Sequence, residues 1–389
     1  MQSNYKQLGE YIEIVSRVNA DLKYGIDDVR GCSNTKKMMP TRANLIGRTY
    51  EKFIVLKPQE FVFNRRTTRN GERIGMAYND TDREYIFTND YVAFRVKKEC
   101  LSELLPEYLY LFFCRDEFDR YARYKSTGSA TEFFNWEDMC AVPIEIPSID
   151  FQKTMVNAYR VISDRIALKK RINDNLEESL SAFYKELFYE ADTRYPKVPL
   201  RKICSKIGSG ATPKGGKGAY IDKGISLIRS TNVFDFRFEY SDLAHINQDQ
   251  ADALGNVIVE RNDVLFNITG VSVARCCMVP DDVLPARVNQ HVMIVRPTQG
   301  EDTSYYIMFT LCSTENKAKL QGIGQSGSTR EAINKQELES YEIPLPDDTT
   351  LNKFGDAAKR VYENVQCNVK EIRTLEEIKA VLLTKISSR

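Results

Sequence analysis

The sequence has no apolar run long enough to span a membrane. The densest, Tyr108 to Phe113, is six residues, against the roughly 20 that a spanning helix needs. The opening MQSNYKQLGEYIE has neither the basic start nor the apolar core of a secretory leader, so a cytoplasmic setting is expected. Charge of one sign is not in excess: 55 Lys and Arg face 54 Asp and Glu, which excludes a simple polybasic protein. Histidine is limited to His245 and His291, and none of the nine cysteines forms a CxxC pair. A zinc site therefore lacks a ligand set at the usual spacing. The cysteines read as small buried hydrophobes of a reducing compartment.

Catalytic signatures are missing as well. The segment Gly208 to Gly218, GSGATPKGGKG, invites comparison with a phosphate-binding loop. It fails, because Gly216-Lys217 is followed by Gly218 rather than Ser or Thr, and Ala211 stands where the first glycine belongs. No acidic-Pro-Pro-aromatic tetrad of an amino-methyltransferase is present, and no glycine-rich cofactor fingerprint follows a strand. Asp281-Asp282 is the nearest approach to a nuclease carboxylate pair, and no acidic-x-Lys follows it at useful distance. Neither histidine has a Ser or Cys partner suggestive of a triad.

What the chain does have is an internal repeat. An offset of 199 superposes Gly128 on Gly327, Ser129 on Ser328, Glu132 on Glu331, Asn135 on Asn334, Ile144 on Ile343 and Pro147 on Pro346. The same offset lays Leu176-Glu177-Glu178 on Leu375-Glu376-Glu377, and Glu60 to Asn64 resembles Asp263 to Asn267 at an offset of 203. So long a period describes two similar halves, not a solenoid.

Each half ends alike. A Pro-flanked strand-like piece gives way to a Pro-free segment with helical spacing. In the first segment Val161, Leu168, Ile172, Leu176, Leu180, Phe183 and Leu187 form the stripe, with Arg165 at the missing step. In the second it runs Val361, Val365, Val369, Ile372, Leu375, Ile378, Leu382 and Ile386. Helices over Asp150 to Phe188 and Thr350 to Ile386 are expected, capped by Asp150 and by Thr349 or Thr350. Two such stripes bury most simply against each other; each capping its own domain is the alternative. Ala191 to Pro199 reads as a linker.

Ahead of the helices, β-rich runs alternate with turns: Lys52 to Leu56, Glu60 to Phe63, Tyr85 to Phe87, Tyr91 to Val96, Val257 to Glu260, Asp263 to Ile268 and His291 to Val295. One helix-like stretch follows in each half, Pro106 to Tyr121 and Thr303 to Leu320. The expected class is α+β, divided into a globule over 1–147, a helix over 148–190, a second globule over 191–346 and a second helix over 347–389.

The charge is local. Arg30 to Arg73 holds eleven basic residues against three acidic ones, and Arg201 to Arg237 holds eight against two. Two basic stretches at equivalent places suggest two sites for a polyanion. They also carry side chains able to read bases, since Arg pairs with guanine and Asn or Gln with adenine. Candidate DNA contacts in the first half are Lys36, Lys37, Arg42, Asn44, Arg65, Arg66, Thr67, Thr68, Arg69 and Asn70, with Lys125, Ser126 and Ser129 in a turn suited to phosphate. In the second half they are Ser209, Thr212, Lys214, Lys217, Arg229, Ser230, Thr231, Asn232, Asn267, Thr269, Asn289, Gln290 and His291, with Ser326, Ser328, Thr329 and Arg330 in the equivalent turn.

With these residues in view, the chain resembles a type I restriction-modification specificity subunit over nearly its whole length. Lys206-Ile-Gly-Ser-Gly-Ala-Thr-Pro213, Ile228-Arg229, Asp263-Val-Leu-Phe-Asn-Ile-Thr-Gly270, Val288-Asn-Gln-His-Val292 and Ile343-Pro-Leu-Pro346 look like that family's target-recognition domain. The first half matches at Asn44-Leu-Ile-Gly47 and Ser126-Thr-Gly128 but lacks a VNQH element. The resemblance implies that each globule reads half of a bipartite asymmetric DNA site. It also implies that the two long helices pair antiparallel and set the spacer, and that catalysis belongs to partners. Two methyltransferase subunits would bring S-adenosylmethionine, and restriction subunits would bring ATP and Mg; no cofactor is expected in this chain. A coiled-coil scaffold binding proteins through its two globules is the alternative, and a self-contained methyltransferase is disfavoured by the missing tetrad.

Overall fold

The computed structural model describes residues 5–41, 45, 47–66, 73–128, 132–188, 191–325 and 332–386. The chain divides into two compact units, Met1–Ala167 with Ile372–Arg389, and Leu168–Glu371. Among the described residues no helix is long and apolar enough to cross a membrane.

Each unit is built on a four-stranded antiparallel sheet with the same strand order. In the first unit the order is Ile12–Val15, Tyr91–Val96, Phe61–Asn64, Met76–Tyr78. In the second it is Cys204–Ser209, Val292–Pro297, Val264–Asn267, Cys276–Met278. The register repeats too: Asn64 lies opposite Tyr91, and Asn267 opposite Val292. Phe61–Asn64 and Val264–Asn267, inside these sheets, read as apolar runs because both their faces are covered. Phe61 and Phe63 enter one core while Val62 enters another. Val264 and Phe266 likewise part from Leu265. Complete burial of such a side chain contributes about 1.5–3 kcal/mol, and the ring contacts of Phe61, Phe94, Phe113 and Phe118 add geometric selectivity.

A second, smaller sheet also repeats. Ile54–Leu56 pairs antiparallel with Tyr85–Phe87, and Ile258–Val259 with Ala286–Val288. The second unit enlarges this sheet with Ile225–Ile228, parallel to Ala286–Val288, and Ala244–Ile246. Among its described residues the first unit has a parallel bridge at the corresponding place, Val29 to Ile86.

The helix-like stretches each break in two. Pro106–Phe113 and Asp116–Lys125 are separated by an extended Arg115, whose guanidinium folds back over Phe112 and whose Nε donates to the Phe112 carbonyl. Glu301–Cys312 and Thr314–Gln325 are separated by Ser313, whose hydroxyl donates to the Thr310 carbonyl. The segment read as a linker is also structured: Lys197–Pro199 pairs antiparallel with Glu342–Pro344, much as Lys6–Gln7 pairs with Pro143–Ile144.

The long helices span Ile149–Leu187 and Asp348–Thr384. Their caps lie just upstream of those expected. Phe151 N donates to Ser148 Oγ, and Thr350 N to Asp347 Oδ1 at 2.9 Å. In the second unit the helices run antiparallel, with Lys169 against Asn368 and Glu371, Asn173 against Asn368, and Phe183 against Phe354. In the first unit Lys379 lies over the Tyr159 ring, and Leu382 and Ile386 join the core that holds Met155.

The contact seam differs from the apolar stripe counted in the sequence. Val161, Leu168 and Ile172 are exposed at 64%, 46% and 38%. Ile166, Asn173 and Leu180, seven residues apart, are buried instead. The seam accepts polar residues because they satisfy one another. Asn368 Nδ2 donates to Asn173 Oδ1 at 2.7 Å, and Lys169 Nζ donates to Asn368 Oδ1 at 2.8 Å. A buried amide pair of this kind costs stability yet fixes register, because a slipped pairing leaves both amides unsatisfied.

One carboxylate on this helix titrates unusually. Burial pushes Glu177 from its ordinary 4.5 up to about 7, with Arg237 opposing. The folded state therefore holds an extra proton between those values; this contribution is full below about 4.5 and is lost as pH rises through about 7. The stability gap between wild type and Glu177→Gln should accordingly widen in favour of the variant from about pH 5 to about pH 8. Denaturant midpoints measured at both pH values check this, and a constant gap would refute it.

Candidate nucleic-acid interface

The candidate residues of the second unit gather where its two sheets end. Parallel pairing of Ile225–Ile228 with Ala286–Val288 sets Arg229 beside Asn289, and Asn289 N donates to the Ile228 carbonyl at 3.0 Å. Asn267 closes its strand opposite Val292, and Ile268 N donates to the His291 carbonyl at 3.0 Å. The glycine-rich segment joins them through Gly210 N, which donates to the Asn289 carbonyl at 3.1 Å. A Cβ at Gly210 would lie 1.7 Å from the Val288 carbonyl oxygen, so only glycine permits this approach. Thr269 bridges to Ala332, bringing in the chain just after the second turn segment. Four motifs far apart in sequence thus share one edge.

Once together, these side chains have different roles. Asn232 is fully buried, accepts from Arg229 N and donates to the Glu239 carbonyl at 2.9 Å. Asn267, also fully buried, donates to the Ser230 and Val233 carbonyls. Asn289 accepts from His291 N at 3.0 Å. These three asparagines hold the backbone, so they are corrected from base readers to scaffolding. Thr231, Thr212, Lys214 and Lys217 are exposed, while Ser209 and Ser230 are half-buried. The half-buried Arg229 guanidinium lies over the Tyr220 ring and donates to the Asp242 carbonyl.

His291 links two neighbours. Its Nδ1 lies 2.7 Å from Thr269 Oγ1 and its Nε2 lies 2.9 Å from Gln290 Nε2. The imidazole thus links a hydroxyl on one side to an amide on the other. Three buried atoms in this cluster have no partner: Arg229 Nε, Asn267 Oδ1 and Gln290 Oε1. Unsatisfied buried polar atoms are expensive, and their concentration here marks the edge as more than packing.

The first unit places its candidates less uniformly. Arg65 and Arg66 are exposed just past Phe61–Asn64, and Arg66 N donates to Asn64 Oδ1 at 3.0 Å. Arg66 also bridges to Phe133, which in turn bridges to Thr127 in the turn segment. Lys37 is exposed. Lys125 lies over Tyr121 and Tyr124, and the Ser126 hydroxyl donates to the Ala122 carbonyl, closing its helix. Lys36 is a correction: its side chain is buried, paired with Asp119, and donates to the Ile74 carbonyl at 2.8 Å. Burial pulls its pKa below the ordinary 10.5, against the pull of Asp119. Arg42, Asn44, Thr67, Thr68, Arg69, Asn70, Ser129, Ser326, Ser328, Thr329 and Arg330 lie outside the described residues.

Sequence reasoning passed over Tyr220 beneath Arg229, and Gln250, whose amide brackets the Lys214 backbone through two 3.0 Å bonds. Neither carries a local motif. Sequence reasoning also left the first half without a counterpart of Asn289-Gln290-His291. The strand register shows that Thr88-Asn89-Asp90 occupies that place, immediately before Tyr91 as His291 precedes Val292. Asp281 and Asp282 are engaged with Arg261 and Tyr240, and among the described residues no cluster of His, Cys, Asp and Glu is placed to hold a metal ion.

Lys36→Met should leave Asp119 buried and uncompensated and destabilise the first unit by about 3–5 kcal/mol. Lys37→Ala should stay within about 0.5 kcal/mol. Urea midpoints distinguish the two, and equal midpoints would show that Lys36 has no structural role.

Residues 34–178 match the type I restriction modification DNA specificity domain. The chain is 23% identical over 303 residues to the type I restriction enzyme MjaIX specificity subunit of Methanocaldococcus jannaschii, an alignment covering 73% of this chain and 68% of that one. Its fold is similar to the type I restriction-modification S subunit of M. genitalium, with a TM-score of 0.60 at 12% identity over 98% of this chain and 95% of the other.

Proposed function

We propose that the chain, which is similar in sequence and fold to type I restriction-modification specificity subunits, is itself one and reads a bipartite, asymmetric duplex DNA site, one half with each unit. As a subunit of that family it is non-catalytic. On this reading residues 1–147 and 191–346 are two target-recognition domains, and the helical segments 148–190 and 347–389 are the spacer between them. Methyltransferase subunits dock on the chain and supply S-adenosylmethionine, and flipping of an adenine for methylation falls to them. Restriction subunits add ATP- and Mg-dependent translocation and cleavage.

The observation that carries the reading is the convergence of Arg229, Gln290, His291 and Thr269 at one sheet edge beside exposed Thr212, Lys214 and Lys217. Guanidinium, amide and hydroxyl groups there suit base edges, and the flanking lysines suit phosphates. The repeated sheet register supports an equivalent edge in the first unit.

Duplex binding measured against salt tests the DNA reading. Affinity should fall linearly in log-log form, with a slope of about −0.9 per phosphate neutralised. Lys217→Ala should weaken all sequences alike and reduce that slope by about one. Arg229→Ala should instead cost about 1–3 kcal/mol at a base of one half-site. An affinity indifferent to salt would favour the protein-binding scaffold. The chain without partners should neither methylate nor cleave DNA, and either activity in a homogeneous preparation would overturn the non-catalytic assignment.

A further inference from the structure

The two units share register but not chemistry at the sheet edge. Asn64 and Asn267 close equivalent strands, opposite Tyr91 and Val292. Two residues past each asparagine, Arg66 bridges to Phe133 and Thr269 bridges to Ala332. Immediately before each partner strand stand Asp90 and His291. The contact repeats as well: Thr269 Oγ1 meets His291 Nδ1 at 2.7 Å, and Arg66 Nη2 meets Asp90 Oδ1 at 3.7 Å. A neutral, half-buried pair in one unit is thus replaced by an exposed ion pair in the other, with side chains 46% and 58% accessible.

We propose that Arg66 and Asp90 form the base-reading pair of the first unit, Arg66 donating to O6 and N7 of a guanine in the major groove while Asp90 positions its guanidinium. The proposal rests on the DNA reading given above. A guanidinium offers five donors in a planar fork, and a single contact at 3.7 Å leaves most of them for a ligand. Guanine alone among the bases presents two acceptors side by side at its major-groove edge. An exposed ion pair contributes little to stability, so folding gives it little reason to exist. Asp90 is thereby a positioning residue, holding the fork of a long flexible side chain before DNA arrives. Because the second unit has an imidazole and a hydroxyl at this place, the two half-sites differ at the corresponding base pair.

The test selects from a fully randomised duplex library with the full chain and its co-purified partner, followed by sequencing of the bound fraction. Wild type should enrich a two-part motif. Arg66→Ala and Asp90→Ala should each lose preference at the same guanine, about tenfold or more, in the half-site that Arg229→Ala leaves intact. Arg66→Lys keeps the charge without the fork, so it should bind with near-normal strength yet without the guanine preference. It also guards against misfolding as an explanation. An unchanged motif in Arg66→Ala, or a uniform loss across all sequences, would overturn the proposal while leaving the DNA reading in place. A wild-type complex that enriches no motif would overturn both.

Discussion

If Val264–Asn267 slipped by one residue against Val292–Pro297, Phe266 would pass from one core to the other and Asn267 would leave the Ser230 and Val233 carbonyls. Because the side-chain period of a strand is two, every residue of the slipped strand would change face. Burial on both faces makes that change costly, and the same holds for Phe61–Asn64 against Tyr91–Val96. The polar edge depends on this constraint. Thr269 and His291 meet, and Arg66 and Asp90 meet, only because the apolar strands behind them admit one alignment. The polar edge is thus positioned by hydrophobic burial, and the few hydrogen bonds at the edge select among orientations already brought within reach.

Much of this was legible in the sequence, for identifiable reasons. Phe61–Asn64, Tyr91–Val96, Val264–Asn267 and Val292–Pro297 fall on expected apolar runs, whereas Ile12–Val15, Met76–Tyr78, Cys204–Ser209 and Cys276–Met278 were too short or too polar to read, and both long helices lie within two residues of their expected ends. The repeat is real at the level of register, down to Asn135 and Asn334, each beginning a short helix with its own cap. The helix seam was misread because apolar counting ignores polar pairs that satisfy each other. Asn173 and Asn368 lie inside the seam, and Val161 and Leu168 lie outside it.

The candidate interface was legible by composition but not by role. Asparagine suits a base edge and also suits a buried backbone clamp; the choice depends on carbonyls that a sequence does not locate. Asn232 and Asn267 became clamps because the Glu239, Ser230 and Val233 carbonyls lie within reach. Lys36 was drawn inward by Asp119, a partner 83 positions away. Asp90 was passed over because the first half carries no VNQH motif, and only strand register shows what stands in its place.

The pairing of the first and last strands of each half has an evolutionary consequence. Lys6–Gln7 lies against Pro143–Ile144, and Lys197–Pro199 against Glu342–Pro344. The chain therefore enters and leaves each half at neighbouring points, with the core closed between them. Neighbouring ends are what make a segment tolerant of circular permutation and of wholesale exchange. One crossover in the DNA encoding each strand of such a pair would replace the half between them entire, transplanting its polar edge together with the core behind it. In a chain built this way one crossover event can change the whole chemistry of a polar edge, where point substitutions would change it one residue at a time.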